Sequence, residues 1–290
     1  MIARAEVWLG TLVEIALPDA DASDACFAAA FEAIAHVHQK MTAHDPASDL
    51  ARIAWEAHLR TIIVDAHTHA VLELALMLAR ETQGAFDPTV AAAPERVGGA
   101  STSMHDSRAA GAFAASIILE RNHRVRTTAP LALDLGGIAK GYAVDRAVAA
   151  LVASGAGGGV VNAGGDLRAF GTAGWMPVRI RHPADPALAA HVFDIRDTAA
   201  ATSADYFRLG GALLDPRLNA LRMFGASVTV VAPSCALADA LTKVVAVDPA
   251  HAPETLARHR AHAFRLEPSD NAVRATATCA ASTSHLRFAA

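Results

Sequence analysis

The chain contains little cysteine. Cys26, Cys235 and Cys279 are the only cysteines, their number is odd, and no CxxC pair occurs. This pattern argues against a disulfide framework and against a zinc knuckle. No apolar run reaches the roughly 18 residues that a membrane-spanning helix needs. Positive charge is not in excess either, since the formal net charge is −4. We therefore expect neither a nucleic acid partner nor an integral membrane segment.

The amino terminus lacks the features of a secretion signal. The first residues, MIARAEVWLGTLVEIAL, hold a single arginine, and glutamates interrupt the apolar positions. A secretion signal would combine a basic start, an uninterrupted apolar stretch and a small-residue cleavage site. We therefore expect a cytoplasmic protein, although a chain that begins after a removed export signal would look the same and would be periplasmic.

Lysine is scarce as well. Lys40, Lys140 and Lys243 are the only lysines among 25 basic residues, and all the others are arginines. A lysine is thus an unusual choice in this chain. Two of the three lie beside the motifs described below.

Apolar residues, by contrast, make up 53% of the chain and follow short strand and helix periods. Alternation over 6–15 predicts a first strand, and the spacing of Phe27, Phe31 and Ile34 predicts a helix. Later segments read as strand, Gly-Gly turn and strand, and such turns are too short for a parallel crossover. We predict an α/β fold of the α+β type, with mixed, mostly antiparallel sheets and packed helices. We expect one domain over residues 1–290, with two intimate lobes.

The stretch LALDLGGIAKGYAVDRAVAAL, residues 131–151, carries one of the scarce lysines. Its alternating start predicts a strand, Gly136 and Gly137 permit a turn, and a helix follows with Lys140 in its first turn. Free N–H groups and the helix dipole favour an anion at that position, so a lysine there needs a bound phosphate or a nearby carboxylate. The alternative is a solvated lysine beside Asp145.

Two further segments offer polar groups. The turn between Asn162 and Asp166 could let a ligand approach the backbone, although such a turn is more often a plain hairpin. In ALADALTKVV, Thr242 and Lys243 follow Asp239 by three and four residues, so all three share one helix face. Asp and Thr oxygens on one face can hold a hard cation such as Mg²⁺. The alternative is an Asp239–Lys243 surface ion pair.

The segment TIIVDAHTHA imitates the metal-binding start of an amidohydrolase barrel through His67 and His69. Such a barrel needs further ligands at later strand ends in a repeating strand–helix pattern, which the Gly-Gly hairpins interrupt. We expect both histidines to be partly exposed residues in the first turn of a helix capped by Asp65.

Seven motifs in order, MTAHDPASDLARI, GAFDPTV, LDLGGIAKGYAVD, VVNAGGDL, ATSADY, LLDPR and ADALTK, resemble the ApbE family of FAD:protein FMN transferases. The resemblance extends from about Arg4 to Val247. It implies a T-fold-like α/β protein. It further implies Mg²⁺-dependent transfer of the FMN phosphoryl moiety of FAD to a threonine hydroxyl of an acceptor flavoprotein, with release of AMP.

The same resemblance implies roles for individual residues. The main-chain carbonyl of Ala139 and the side chains of Asp239 and Thr242 would contact Mg²⁺. The residues that would contact, line or support the FAD site are Met41, Asp87, Thr89, Gly136, Gly137, Lys140, Asp145, Asn162, Gly164, Gly165, Asp166, Thr202 and Ser203.

Two positions depart from the family pattern. Ala212 stands where many members have a histidine that is proposed as the base, and Lys243 stands where many have a threonine. An active transferase could use Asp215 or Asp205 as the proton acceptor, and Lys243 could replace part of the charge of the metal. The alternative function is an FAD-binding protein, or an FAD pyrophosphatase, without transfer activity. No oligomeric state is predicted.

Overall fold

The computed structural model of the protein describes residues 1–89, 114–131, 133–171, 174–182, 185, 189–204, 213–218, 220–222, 226–266, 274–277 and 284–288. The helices of the described residues are α1 Asp24–Met41, α2 Asp49–Glu56, α3 Ala66–Glu81, α4 Ala139–Ala153, α5 Cys235–Val247 and α6 Ala252–Arg258. The strands are β1 Ile2–Trp8, β2 Thr11–Leu17, β3 Ile62–Ile63, β4 Ile117–Glu120, β5 Arg124–Thr127, β6 Gly158–Ala163, β7 Asp166–Gly171, β8 Met176–Arg181, β9 Ala189–Ile195, β10 Thr198–Ala204, β11 Leu213–Asp215, β12 Ala220–Arg222, β13 Ser227–Ala232, β14 His262–Leu266, β15 Arg274–Ala277 and β16 Leu286–Phe288.

The chain divides into two compact units. The first unit comprises Met1–His38, Ile138–Leu213 and Met223–Ala290, and the second comprises Gln39–Gly137 and Leu214–Arg222. The proposal of one domain over residues 1–290, with two intimate lobes, stays a prediction.

The first unit is built on an eight-stranded sheet with the order β1-β2-β6-β7-β10-β13-β14-β15. All seven neighbouring pairs in this sheet are antiparallel. Tight turns account for the direction of β1–β2 and of β6–β7, because strands joined by such a turn can only run in opposite directions. The prediction of mostly antiparallel sheets with packed helices is confirmed.

Both faces of the central strands are covered. All six residues of β13 are buried, as expected for a strand between two layers. On one face, a three-stranded sheet of β16, β9 and β8 packs against the large sheet, and the rings of Phe193 and Phe264 stack at 4.6 Å. On the other face, α4 packs on β6 and β7 while α5 packs on β10 and β13. Helices α4 and α5 therefore lie on a sheet whose opposite face is covered by the three-stranded sheet.

The first strand predicted over 6–15 is wrong in its extent, because the chain reverses inside it. Leu9 and Gly10 have φ values of 55° and 72°, and Trp8 pairs with Thr11. A two-residue hairpin turn with positive φ at both positions matches the twist of the flanking strands. The apolar alternation continues through the turn, so the period alone hides the break, and the glycine is the signal that marks it.

The second unit holds α2, α3 and a three-stranded antiparallel sheet of β3, β5 and β4. Asp65 caps α3 as predicted, since its side chain accepts a hydrogen bond from the His67 N–H at 2.8 Å. The prediction that His69 is partly exposed is wrong. His69 is 8% exposed, and its Nε2 lies 3.1 Å from the Glu120 carbonyl oxygen. Among the described helices, none is both long enough and apolar enough to cross a membrane.

Candidate functional site

Helices α4 and α5 of the first unit touch at a glycine. A Cβ atom added to Gly141 would lie 2.2 Å from the main-chain oxygen of Cys235 and 2.8 Å from the nitrogen of Ala236. Real Cβ contacts do not come that close, so only glycine permits this approach. The first turns of both helices are therefore brought side by side against the sheet.

Asp145 of α4 ties the start of α5 in place. Its two carboxylate oxygens accept hydrogen bonds from the N–H groups of Cys235 and Ala236, each at 2.9 Å. These N–H groups have no partner inside their own helix, so the carboxylate acts as a cap supplied by another helix. Arg168 of β7 pairs with the same carboxylate at 2.6 Å. Asp145 thus supports the site through helix placement.

We predict that Asp145→Ala destabilises the protein by about 2 kcal/mol, the upper range for loss of a helix cap, because two N–H groups lose their acceptor. Urea unfolding followed by circular dichroism would measure this loss. The control is Ser234→Ala, which removes the side-chain cap that accepts from the Leu237 N–H at 3.4 Å. Its expected cost is about 0.5–1 kcal/mol. Equal losses in both variants would contradict the capping role of Asp145.

Four charged side chains of the first unit form a buried charge cluster, which consists of Lys140, Asp166, Asp239 and Lys243. Lys140 Nζ donates to the Asp166 carboxylate and lies 3.6 Å from Asp239 Oδ2. Lys243 Nζ donates to Asp239 Oδ1 and to the Asp239 main-chain oxygen. The Asp239 side chain is 0% exposed, whereas that of Lys140 is 32% exposed. Lys140 is therefore the member of the cluster that a ligand in solvent can reach.

The ionisation of the cluster reflects burial opposed by pairing. Burial acts to lower the pKa of Lys140, but the carboxylates of Asp239 and Asp166 outweigh it and raise that pKa. Burial acts to raise the pKa of Asp239, yet the ammonium groups of Lys140 and Lys243 hold it below its usual value. Burial and repulsion from Asp239 raise the pKa of Asp166 to about 6, although the ammonium groups of Lys140 and Lys243 act to lower it. Lys140 thus carries its charge because the carboxylates compensate it.

The residues expected to bind Mg²⁺ do not fit that ion in this arrangement. Lys243 Nζ occupies Asp239 Oδ1, and Oδ2 accepts from the Gly141 N–H at 3.3 Å. The Thr242 hydroxyl donates to the Asp239 main-chain oxygen at 2.6 Å and also shares a 2.7 Å hydrogen bond with the Ser203 hydroxyl. A magnesium ion needs open oxygen ligands at about 2.0–2.1 Å. The expected ligands Asp239 and Thr242 already make hydrogen bonds within the protein. The third expected ligand, the main-chain oxygen of Ala139, belongs to the first residue of α4.

The two hydroxyl residues predicted together on β10 point to opposite faces of the sheet. Ser203 bonds to Thr242 of α5, whereas Thr202 bonds to Thr229 of β13 at 2.9 Å, on the face that packs against the three-stranded sheet. Successive side chains of a strand alternate between faces, so neighbours cannot share one site. Ser203 belongs with the buried charge cluster and Thr202 does not.

The turn that follows Asn162 is a tight hairpin between β6 and β7. Gly164 and Gly165 have φ values of 61° and 99°, and the Asn162 side chain accepts from the Gly165 N–H at 2.9 Å. This supports the hairpin alternative that the sequence left open. The turn also delivers Asp166, the first residue of β7, to the cluster.

Other predicted residues lie in the second unit and form a group of their own. Thr89 donates to Asp87 through both its N–H and its hydroxyl, at 2.8 and 2.6 Å. Asp134 donates its N–H to the Pro88 oxygen at 2.8 Å and accepts from the Gly136 N–H at 2.7 Å. The GAFDPT and LDLGG segments therefore meet. The predicted strand in LDLGG is wrong, since its described residues belong to no sheet and instead form this turn.

Four predicted residues have not yet been described. Met41 is the buried last residue of α1, and Gly137 lies in the turn before α4. Asp215 ends β11, is 1% exposed, and accepts from the Arg217 N–H at 3.0 Å. Asp205 lies outside the described residues.

Three residues beside the cluster were not predicted as site residues from the sequence. They are Gly141, Arg168 and Cys235, whose thiol has its pKa raised well above the usual value by burial and by the carboxylate of Asp145. Only Arg168 left a signal, because it follows Asp166 by two residues and so points to the same face of the sheet. The contact of Gly141 with Cys235 joins residues far apart in the sequence, and no periodicity records it.

The antiparallel sheet with a helix pair on one face, and a buried charge cluster between them, defines a mixed α/β protein with an ionic site on a rigid scaffold. The model of the ApbE family matches residues 9–265. Since this match covers most of the chain, the protein belongs to the ApbE family.

Named relatives agree with this membership. An FAD:protein FMN transferase from Rhodobacter capsulatus is 30% identical over 260 residues, which cover 82% of this chain and 50% of that protein. A protein of the same name from Treponema pallidum is 28% identical, over 82% of this chain and 76% of its own length. The chain thus spans half the length of the first relative.

A solved structure gives the same answer. The crystal structure of the ApbE protein from Thermotoga maritima matches with a TM-score of 0.76 at 26% identity, covering 94% of this chain and 96% of that one. The T-fold-like α/β architecture implied by the resemblance is therefore confirmed.

Proposed function

We propose that this protein transfers the FMN phosphoryl moiety of FAD to a threonine hydroxyl of an acceptor flavoprotein, releasing AMP. Family membership and the names of the two relatives support this assignment. The observation that carries it is Lys140. Its ammonium lies in the first turn of α4, held by Asp166 beside Asp239, yet its side chain stays 32% exposed. A partly exposed cation at a helix amino terminus is suited to a diphosphate.

The chemistry of the transfer suits such a site. Attack on a phosphorus of the FAD diphosphate needs positioning and neutralisation of charge more than covalent participation by the protein. The ammonium of Lys140 and the positive end of the α4 dipole would supply that charge. Because Asp145 and the Gly141 contact fix α4 against α5, these groups would be held in position before the substrate binds.

Two details of the family chemistry differ here. Mg²⁺ has no part in the transfer proposed here, because the side-chain and main-chain oxygens of Asp239 accept hydrogen bonds from Lys243 and Thr242. For the proton of the acceptor threonine, we propose Asp215 or Asp205 as the base in place of the histidine that Ala212 replaces. Loss of a general base lowers a rate by about 10²–10⁴. If Asp215 is the base, Asp215→Asn lowers the transfer rate in this range while FAD affinity is retained. A normal rate would assign the role elsewhere.

The direct test is incubation with FAD and a threonine-containing acceptor flavoprotein. We expect a mass increase of the acceptor equal to one FMN, with stoichiometric AMP. The control is the acceptor with its threonine changed to alanine, which should stay unmodified. AMP and free FMN without modified acceptor would assign FAD pyrophosphatase activity, and retained FAD without either product would assign an FAD-binding protein.

We predict that Lys140→Ala weakens FAD binding by about tenfold or more, since it removes the reachable cation of the site. Titration of flavin fluorescence would measure the dissociation constant. The matched control is Lys40→Ala, the same substitution at a lysine outside the cluster, and it should leave the affinity unchanged. An unaltered affinity in Lys140→Ala would instead show that this lysine only balances buried carboxylates.

A further inference from the structure

Lys243 is placed by helix geometry directly against Asp239. The two residues are one turn apart on α5, and the Lys243 ammonium donates to both Oδ1 and the main-chain oxygen of Asp239. Their side chains are 10% and 0% exposed. The pair is therefore buried and is not the solvated surface pair that the spacing alone would allow. The ammonium is a fixed part of the site.

The position of the Lys243 ammonium is the one that a metal ion would need. A cation on Asp239 must approach a carboxylate oxygen, and Oδ1 is taken by Lys243. On the Oδ2 side stand the Gly141 N–H at 3.3 Å and Lys140 Nζ at 3.6 Å. Both oxygens of this carboxylate therefore already face hydrogen-bond donors of the protein.

The charge of the cluster is also complete without a metal. Two carboxylates, Asp166 and Asp239, face two ammonium groups, Lys140 and Lys243, so their formal charges cancel. A divalent ion beside Asp239 would stand close to both ammonium groups. Each ammonium would repel such an ion, and the repulsion is stronger in this buried site than it would be in water. The cluster would have to release Lys243 from Asp239 before it could accept the ion.

We propose that Lys243 is a built-in cation, which takes the place of a divalent metal at Asp239 and lets the protein bind its anionic nucleotide without one. The nucleotide part of this inference rests on the proposed function, but the exclusion of the metal does not. Lys243 then acts as a positioning residue. It holds Asp239 on its Oδ1 side, while Oδ2 keeps its contacts with Gly141 and the reachable Lys140.

The exclusion is tested with Mn²⁺ alone, whose free aquo ion gives an electron paramagnetic resonance signal that is lost on binding. We expect the wild-type protein to leave this signal unchanged. Lys243→Thr removes the ammonium and supplies a hydroxyl oxygen beside Asp239, so this variant should bind a single Mn²⁺ per chain. Stoichiometric Mn²⁺ binding by the wild-type protein at this site, abolished in Asp239→Asn, would overturn the proposal.

Two control variants separate charge from structure. Lys40→Thr makes the same substitution outside the cluster and should gain no Mn²⁺ binding. Lys243→Arg keeps the positive charge and should exclude Mn²⁺ as the wild-type protein does. If Lys243→Arg bound Mn²⁺ as well as Lys243→Thr, charge would not be the cause of exclusion and the proposal would fail.

Flavin titration completes the test. We expect the FAD dissociation constant of the wild-type protein to change by less than about twofold between EDTA and excess Mg²⁺, and that of Lys243→Thr to change by about tenfold. A tenfold metal effect in the wild-type protein would overturn the inference. Failure of the wild-type protein to bind FAD would overturn the proposed function. The Mn²⁺ result would then still decide whether the metal is excluded.

Discussion

Asp239→Asn should destabilise the protein by about 3–5 kcal/mol, the loss typical of a buried ion pair that loses one partner. The substitution keeps the shape of the side chain but removes the charge that faces two ammonium groups. Among the described residues, Lys243 forms an ion pair with Asp239 alone. In the variant its ammonium would therefore remain buried without a paired carboxylate. Lys140 would keep Asp166. The cost therefore comes mainly from Lys243.

The opposite substitution is expected to cost less. Lys243→Met leaves Asp239 with the Gly141 N–H and with Lys140 at 3.6 Å, so the carboxylate is not abandoned. We expect a loss of about 1–3 kcal/mol, as for a buried polar group left partly satisfied. Replacing both residues, Asp239→Leu with Lys243→Met, removes both charges of the pair and should recover most of the stability lost in Asp239→Asn.

Chemical denaturation of the four proteins, followed by circular dichroism, measures these differences. The matched control is Asp24→Asn, the same change at an ion pair with Arg4, where the aspartate side chain is 90% exposed. We expect it to alter the stability by no more than about 0.5 kcal/mol. A loss in Lys243→Met that equals or exceeds the loss in Asp239→Asn would contradict the placement of Asp239 between both ammonium groups.

Much of the local structure of this site could be predicted from the sequence. The helical spacing after Gly137 located α4 and placed Lys140 in its first turn. The Gly-Gly turn after Asn162 indicated the β6–β7 hairpin that carries Asp166. The spacing in α5 put Asp239, Thr242 and Lys243 on one face. These signals are local, because each depends on residues within one or two turns of chain.

The composition of the site depends on contacts that leave no local trace. Lys140 meets Asp166 and Asp239 across 26 and 99 residues of chain, and both lysines approach the same carboxylate. The sequence leaves open a solvated Lys140 and a surface ion pair between Asp239 and Lys243. Lys140 and Lys243 come together because α4 and α5 pack side by side on the same face of the sheet. One feature of the site did leave a local signal. Successive side chains of a strand point to opposite faces of a sheet, so the sequence already implied that Thr202 and Ser203 face different sides.

The close approach of the two helices leads to the second large effect, because it depends on a single missing methyl group. We expect Gly141→Ala to destabilise the protein by about 2–3 kcal/mol, as for an overpacked core. The added Cβ would lie 2.2 Å from the Cys235 oxygen and 2.5 Å from its carbon, and both atoms belong to the backbone. No side chain can rotate away, so α4 and α5 must separate. The helix propensity of alanine is higher than that of glycine, and it offsets only part of this cost.

Gly155→Ala, at the end of the same helix, isolates backbone strain from steric overlap. Gly155 has a φ of +93°, but a Cβ there would meet no atom within 4 Å, so the cost is strain alone, about 1 kcal/mol. The two variants should differ further in ligand binding. Separation of α4 from α5 lengthens the contact of the Gly141 N–H with Asp239 and draws Asp239 away from Lys140, so FAD affinity should fall in Gly141→Ala and not in Gly155→Ala. Equal stability and equal affinity in the two variants would mean that the helices do not need this approach, and that the charge cluster is held together by its ion pairs alone.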